Sequence, residues 1–240
     1  MISNLYIISI LSMISVLIIV IIQNKKNKNK KTKNKKFFKE LPNHNHLDYR
    51  YGKLNNKNKH KTLIYLLKRF MDYSHENKIK PILMYGGLIG YYFNNKLLPW
   101  DDDIDMILLK PSSDKLKNYE DDKILIEVNP NCNNYSVTDS QNKISSRVIS
   151  KENGLFIDLT FFIEQGNYWV CKDGNKFIKK DIIQYNDEKY LKRGIFEGIS
   201  VWIPNNIENC LRTKYGENVF TPLKNKGFIF NKKTKTWKKS

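Results

Sequence analysis

Residues 85–109 read YGGLIGYYFNNKLLPWDDDIDMILL: a glycine pair, a polar and aromatic stretch, then four aspartates in five positions. Ile82–Tyr85 before it is apolar and predicts a buried strand, broken by Gly86 and Gly87, with a short helix over 88–93. A glycine pair at a strand-to-helix turn lets backbone amides approach an anion, and the helix N-terminus adds partial positive charge. Pro99 and Trp100 end the connection, and Ile104, Met106, Ile107 and Leu108 mark the next strand. On a strand, Asp101, Asp103 and Asp105 share one face while Asp102 and Ile104 take the other. Carboxylates two residues apart on one face suit a hard cation such as Mg²⁺, which binds one or two carboxylates plus substrate phosphates. Without a cation, their like charges repel.

Working outward, Thr62 caps a predicted helix whose Leu63, Leu66, Leu67, Phe70 and Tyr73 follow helical spacing, ending near Asn77. Downstream, strands are expected over 123–128, 144–149 and 154–163, a hairpin about Asp173–Gly174, and a strand over 200–203. Asn205 is expected to cap a helix that stops at Gly216. The strand GLFIDLTFFI carries one acid, Asp158, amid Leu155, Phe156, Ile157, Leu159 and Phe161. A lone buried carboxylate needs a partner. That partner is either a metal shared with Asp103 and Asp105, making a three-carboxylate site, or Arg147 as a salt bridge.

The net charge of +18 is unevenly placed. Residues 25–36 hold eight lysines and residues 223–240 hold seven, with no acid in either; the remainder has 27 basic against 24 acidic residues. The basicity belongs to the ends of the chain, which argues against a nucleic-acid-binding face. Cys132, Cys171 and Cys210 are widely spaced and form no CxxC pair, which argues against structural zinc and for free thiols. His44 and His46 sit in a polar linker and read as solvated. Residues 2–22 carry no charge and, as a helix, would span roughly 30 Å, the thickness of a bilayer core. With no basic residue before them and no small-residue cleavage site after, they read as a single-pass anchor rather than a signal peptide. The lysines that follow favour a cytoplasmic domain. The expected organisation is an anchor over 1–23, a Lys/Asn-rich linker over 24–61, one catalytic domain over 62–223 and a solvated basic tail over 224–240.

GGLIG (86–90) followed by PWDDDIDM (99–106) resembles the LicD family, which also contains the fukutin-type proteins. FIDLTFF (156–162) and VWIPNNIENCLRTKYGENVFTP (201–222) resemble its later landmarks, in the family's order. The resemblance implies an α+β fold of nucleotidyltransferase type: a small mixed sheet flanked by helices, here preceded by one transmembrane helix. It also implies transfer of a phospho-substituted group, such as phosphocholine or a polyol phosphate, from a CDP-type donor to a glycan hydroxyl at a membrane, with Mg²⁺ or Mn²⁺ and no nucleic acid. Carried over residue by residue, Gly86 and Gly87 would cradle the donor phosphates. Asp103 and Asp105 would hold the metal with Asp101 alongside, and Asp158 would be the third carboxylate, as ligand or base. Trp100, Pro204, Tyr215, Gly216 and Pro222 match positions of structural type. Family members often carry an arginine in the helix after the glycines; here the stretch is YYFNNK, and Lys96 is the nearest cation. A catalytically silent member acting as a binding or regulatory subunit is the alternative the resemblance leaves open.

Overall fold

The computed structural model describes residues 59–129, 132, 144–183, 191–221 and 224–240. Helix α1 (Lys59–Glu76) begins three residues before the expected cap at Thr62 and fully buries Leu63, Leu66, Leu67 and Phe70 along one stripe. That stripe packs on one face of a large mixed sheet, against Ile104, Met106 and Leu108 of β2 (Asp103–Leu109) and Ile157, Leu159 and Phe161 of β6 (Phe156–Gln165). The remaining strands are β1 (Ile82–Leu83), β3 (Tyr119–Glu120), β4 (Ile124–Val128), β5 (Ser146–Ser150), β7 (Tyr168–Cys171), β8 (Lys176–Ile178), β9 (Lys192–Phe196) and β10 (Ile199–Ile203). Their order is β3-β4-β5-β6-β2-β1-β10-β9, with β7 on the second half of β6 and β8 beside it. The fold is therefore mixed α+β, a large sheet flanked by helices.

Two features of register place the candidate site. First, β2 and β6 run parallel, pairing Asp103 with Phe156 and Asp105 with Asp158. Second, β5 and β4 continue the row antiparallel: Asp158 pairs with Arg147, and Arg147 with Glu127. A line of four charged residues, Asp105, Asp158, Arg147 and Glu127, thus crosses four adjacent strands. Alternation sends this line to the face opposite α1, the face whose far end is apolar through Ile107, Leu109 and Phe162.

Helix α2 (Tyr85–Asn94) covers that second face. It starts three residues before the expected Leu88, so Gly86 and Gly87 lie inside its first turn instead of preceding it. The Met84 amide donates to the Asp105 carbonyl at 3.1 Å, which fixes the N-terminus of α2 beside β2. A Cβ on Gly87 would fall 2.6 Å from Leu83 Cδ1, and one on Gly90 only 2.2 Å from the Lys96 carbonyl oxygen. These two glycines let the helix close on β1 and let the following loop fold back to deliver β2. A Cβ on Gly86 would meet only Asp101 Oδ1, at 3.8 Å.

Beyond β10, helix α4 (Ile207–Tyr215) follows the short α3 (Lys179–Ile182) and is capped by Asn206, whose side chain accepts from the Asn209 amide, one residue later than the expected Asn205. Residues 224–240, expected as a solvated tail, instead form a three-stranded antiparallel sheet of β11 (Lys224–Asn225), β12 (Phe228–Asn231) and β13 (Thr236–Lys239). The reason is aromatic: Phe230 and Trp237 pack on Phe93, and Phe228 and Trp237 pack on Trp100, with centroids 4.9–6.0 Å apart. The lysines stay on the exposed side. Cys132, Cys171 and Cys210 are buried and form no disulfide with one another. Among the described residues no helix is long and apolar enough to cross a membrane; the expected anchor over 2–22, its lysine flank and His44 and His46 lie outside them.

The glycine contacts predict a stability order. Gly90→Ala should destabilise most, because backbone must move, and Gly87→Ala by about 1–3 kcal/mol through overpacking against Leu83. Gly86→Ala should leave stability unchanged or slightly higher, since alanine favours helix. Denaturant unfolding of the three variants reads the order.

Candidate metal and phosphate site

Asp103, Asp105 and Asp158 converge: one carboxylate oxygen from each lies within 4.8 Å of the others. Asp103 and Asp105 are partly buried and Asp158 is buried. Asp105 has its ionisation pushed well up, by burial first and then by Asp103, Asp158 and Asp101. Lys214 opposes that shift. Packing three carboxylates this closely in a half-dry setting is unfavourable unless positive charge joins them.

Asp101 stands just before β2, so it is not on the strand as expected, yet its carboxylate still adjoins the group. It accepts from the Leu98 amide at 3.0 Å. Burial raises its pKa to about 7; the Leu98 amide and Lys226 draw it down, while Asp103 and Asp102 add to the rise. Asp102 is exposed, facing away as the alternation requires.

Of the two alternatives for Asp158, the Arg147 salt bridge is in place. Arg147 Nε donates to Asp158 Oδ1 at 2.5 Å and Nη2 to Oδ2 at 3.3 Å, with both side chains 4% exposed. The guanidinium also lies 4.2 Å over the Phe156 ring, and its Nη1 is buried without a hydrogen-bond partner among the described residues. A carboxylate has about four lone-pair sites, so this pairing leaves Asp158 free to accept on the side facing Asp103 and Asp105. The donor set, three carboxylate oxygens on rigid strands, fits a hard divalent cation with open positions for substrate.

Gly86 and Gly87 sit in the first turn of α2, where backbone N–H groups lack intrahelical acceptors and Met84 supplies no capping side chain. The positive end of α2 thus faces the aspartates, with Gly86 beside Asp101. Lys96 is not brought to this end. It is exposed and lies in the loop after the Asn95 C-cap, which folds back to set the Lys96 carbonyl against Gly90, in the middle of α2 rather than at its first turn.

Sequence reading missed the groups that close the other side. Lys214, on α4, places Nζ 5.1 Å from the centroid of the Tyr85 ring. Tyr85 itself opens α2 with a left-handed φ of 50°. Tyr215, read as structural, has a hydroxyl whose ionisation is pushed up by burial and by Asp105, Asp101 and Asp103. Tyr85 lies on α2, more than a hundred positions before Lys214 and Tyr215 at the end of α4, and no local spacing links the two places.

This arrangement coincides with a known domain. Residues 78–206, more than half of the chain, match the family model described as LicD/FKTN/FKRP, nucleotidyltransferase domain. The chain belongs to the LicD family. The match contains the glycine pair, all four carboxylates of the group and Arg147, and ends before Lys214 and Tyr215. A curated relative, Mannosyltransferase regulator 4 of Saccharomyces cerevisiae, is 29% identical over 108 residues, covering 40% of this chain and 9% of that protein. The LicD-family chain thus spans under a tenth of that relative's length.

Arg147→Met should destabilise the protein by about 3–5 kcal/mol, because it leaves Asp158 buried beside two carboxylates with no counter-charge. Denaturant unfolding measures the loss, and added Mn²⁺ should recover part of it by binding the folded state. A loss below about 1 kcal/mol, the range of an exposed pair, would mean the buried pair does not hold the site together.

Proposed function

We propose that this chain is a metal-dependent phosphotransferase that moves a phospho-substituted group, of phosphocholine or polyol-phosphate type, from a CDP-type donor to a glycan hydroxyl. The observation that carries the reading is the convergence of Asp103, Asp105 and Asp158 beside the open N-terminus of α2. Membership of the LicD family supports the same class of chemistry. In this reading Asp103, Asp105 and Asp158 hold Mg²⁺ or Mn²⁺, and Asp101 supports the group from the loop before β2. When bound, the cation neutralises diphosphate charge and stabilises the leaving nucleotide.

The chain's own groups do the positioning. The amides of Gly86 and Gly87 meet the donor phosphates at the helix N-terminus. Arg147 fixes the orientation of Asp158, whose two oxygens it engages, and this suits Asp158 to a ligand role over that of a mobile base. The acceptor hydroxyl oxygen forms a new bond to the outer phosphorus, the bond from that phosphorus to the CMP oxygen breaks, and the hydroxyl proton is released. The expected anchor over 2–22 would keep this chemistry at a membrane surface, with the lysines after it favouring a cytoplasmic domain.

A second reading is a catalytically silent member that binds nucleotide or glycan and regulates a partner. The engagement of both Asp158 oxygens by Arg147 favours it, since that pairing already supplies one carboxylate with a cation. The relative named a regulator belongs with this reading too.

A panel of CDP-, GDP- and UDP-linked donors, scored for divalent-metal-dependent nucleotide release, separates the two. Release from CDP-linked donors should appear in the wild-type chain and fall about a hundredfold or more in Asp103→Asn and Asp105→Asn, with unfolding midpoints retained. Full activity in both variants would overturn the phosphotransferase reading. Nucleotide binding with no release from any donor would favour the silent one.

A further inference from the structure

We propose that Lys214, seated against the Tyr85 ring, forms the anion-receiving wall of the aspartate site and takes charge from the diphosphate of the bound donor. This rests on the phosphotransferase reading above and adds to it a residue beyond the family match, which ends at 206.

The position of Lys214 is built from three sides. Its Nζ stands over the Tyr85 ring at 5.1 Å, so the ammonium lies at the first residue of α2, directly before Gly86 and Gly87. It donates to Asn175 Oδ1 at 2.5 Å. Asn175 is in turn held by Asp173, which accepts from the Asn175 side-chain amide at 2.5 Å and its backbone amide at 3.2 Å. The hairpin between β7 and β8 therefore orients the lysine with a neutral oxygen, which aims the ammonium without cancelling its charge. Among the described residues Lys214 forms no ion pair, and its side chain is exposed, hence open to a ligand.

Tyr85 supplies the platform on which the lysine is seated. Its hydroxyl is closed to solvent and has no hydrogen-bond partner among the described residues. Burial, then Cys171, Asp173 and Asp105, push its ionisation up, so it remains an O–H donor. Its left-handed backbone is unfavourable for a bulky side chain and holds the ring between Lys214 and Phe177. Unpartnered donors at a helix N-terminus call for an anion, while three carboxylates next to them repel one. A diphosphate chelated to a divalent cation satisfies both, because the cation would face the aspartates and the phosphate oxygens Lys214 and the amides of α2.

The test uses the full chain with two probes: Mn²⁺ alone, followed by its electron paramagnetic resonance, and inorganic pyrophosphate at saturating Mg²⁺, followed by calorimetry. Removing a positive charge near the aspartates should move the two in opposite directions. Lys214→Met should weaken pyrophosphate binding about tenfold, while Mn²⁺ alone binds as tightly as in wild type or more tightly. Lys214→Arg should restore most of the pyrophosphate affinity, and unchanged unfolding midpoints would show that the exposed substitution spares the fold. Undiminished pyrophosphate binding in Lys214→Met, an equal loss in Lys96→Met, or no pyrophosphate binding by the wild-type chain would each overturn the assignment. Loss of Mn²⁺ binding in Asp105→Asn with normal pyrophosphate binding in Lys214→Met would sink this inference alone. Mn²⁺ binding indifferent to Asp105→Asn would sink the phosphotransferase reading beneath it.

Discussion

The parallel pairing of β2 with β6 sets Asp105 directly beside Asp158, with Asp103 one pleat away on the same face. Three carboxylates share a few ångströms of partly dried space, and two units of like charge at such a distance repel strongly once water is thinned out. The backbone hydrogen bonds of two central strands enforce this crowding, and both strands are locked by apolar side chains on the face toward α1. The sheet cannot relax the repulsion by letting one strand drift. The carboxylates must either hold protons, as the raised ionisation of Asp105 shows, or draw positive charge to them.

The surrounding elements bring it from four directions. Arg147 approaches along the sheet and engages Asp158 from the side away from Asp105. The N-terminus of α2 points its amides at the group, pinned there by the bond from the Met84 amide to the Asp105 carbonyl. Lys214 arrives on α4, and Lys226 on the turn of the C-terminal sheet, whose field reaches Asp101. The aromatic packing of Phe228, Phe230 and Trp237 on Phe93 and Trp100 therefore serves the site, since Trp100 immediately precedes Asp101. A proposed cation among Asp103, Asp105 and Asp158 completes a charge balance that the fold has already begun.

The parts legible in the sequence were those with a local signal. Strand alternation alone put Asp103 and Asp105 on one face and turned Asp102 away, and the apolar run around Asp158 announced a buried acid that needs a partner. Arg147 stands beside it on β5 while Asp103 and Asp105 lie across on β2, an arrangement single-strand reasoning had no means to show, because it depends on β5 and β2 flanking β6. The start of α2 lies earlier than expected because Gly86 and Gly87 read as breakers, whereas close approach to Leu83 requires Gly87 within the helix and Gly86 is tolerated there. Residues 224–240 read as tail because lysines dominate their composition; the signal of a sheet lies in the period-two placement of Phe228 and Phe230, with Phe230 opposite Trp237. Strand β9, basic and at the sheet edge, carries the charges that protect an edge and so lacks an apolar pattern. Lys214 was invisible for a different reason: it matters only through where α4 packs.

Anomalous diffraction from crystals of the chain grown with Mn²⁺ tests the central claim most directly. The account predicts one strong peak within bonding distance of carboxylate oxygens from Asp103, Asp105 and Asp158, with Arg147 still paired to Asp158 on its far side. A map with no peak there at saturating Mn²⁺, the Arg147–Asp158 pair intact and Asp105 turned away from it, would contradict the account.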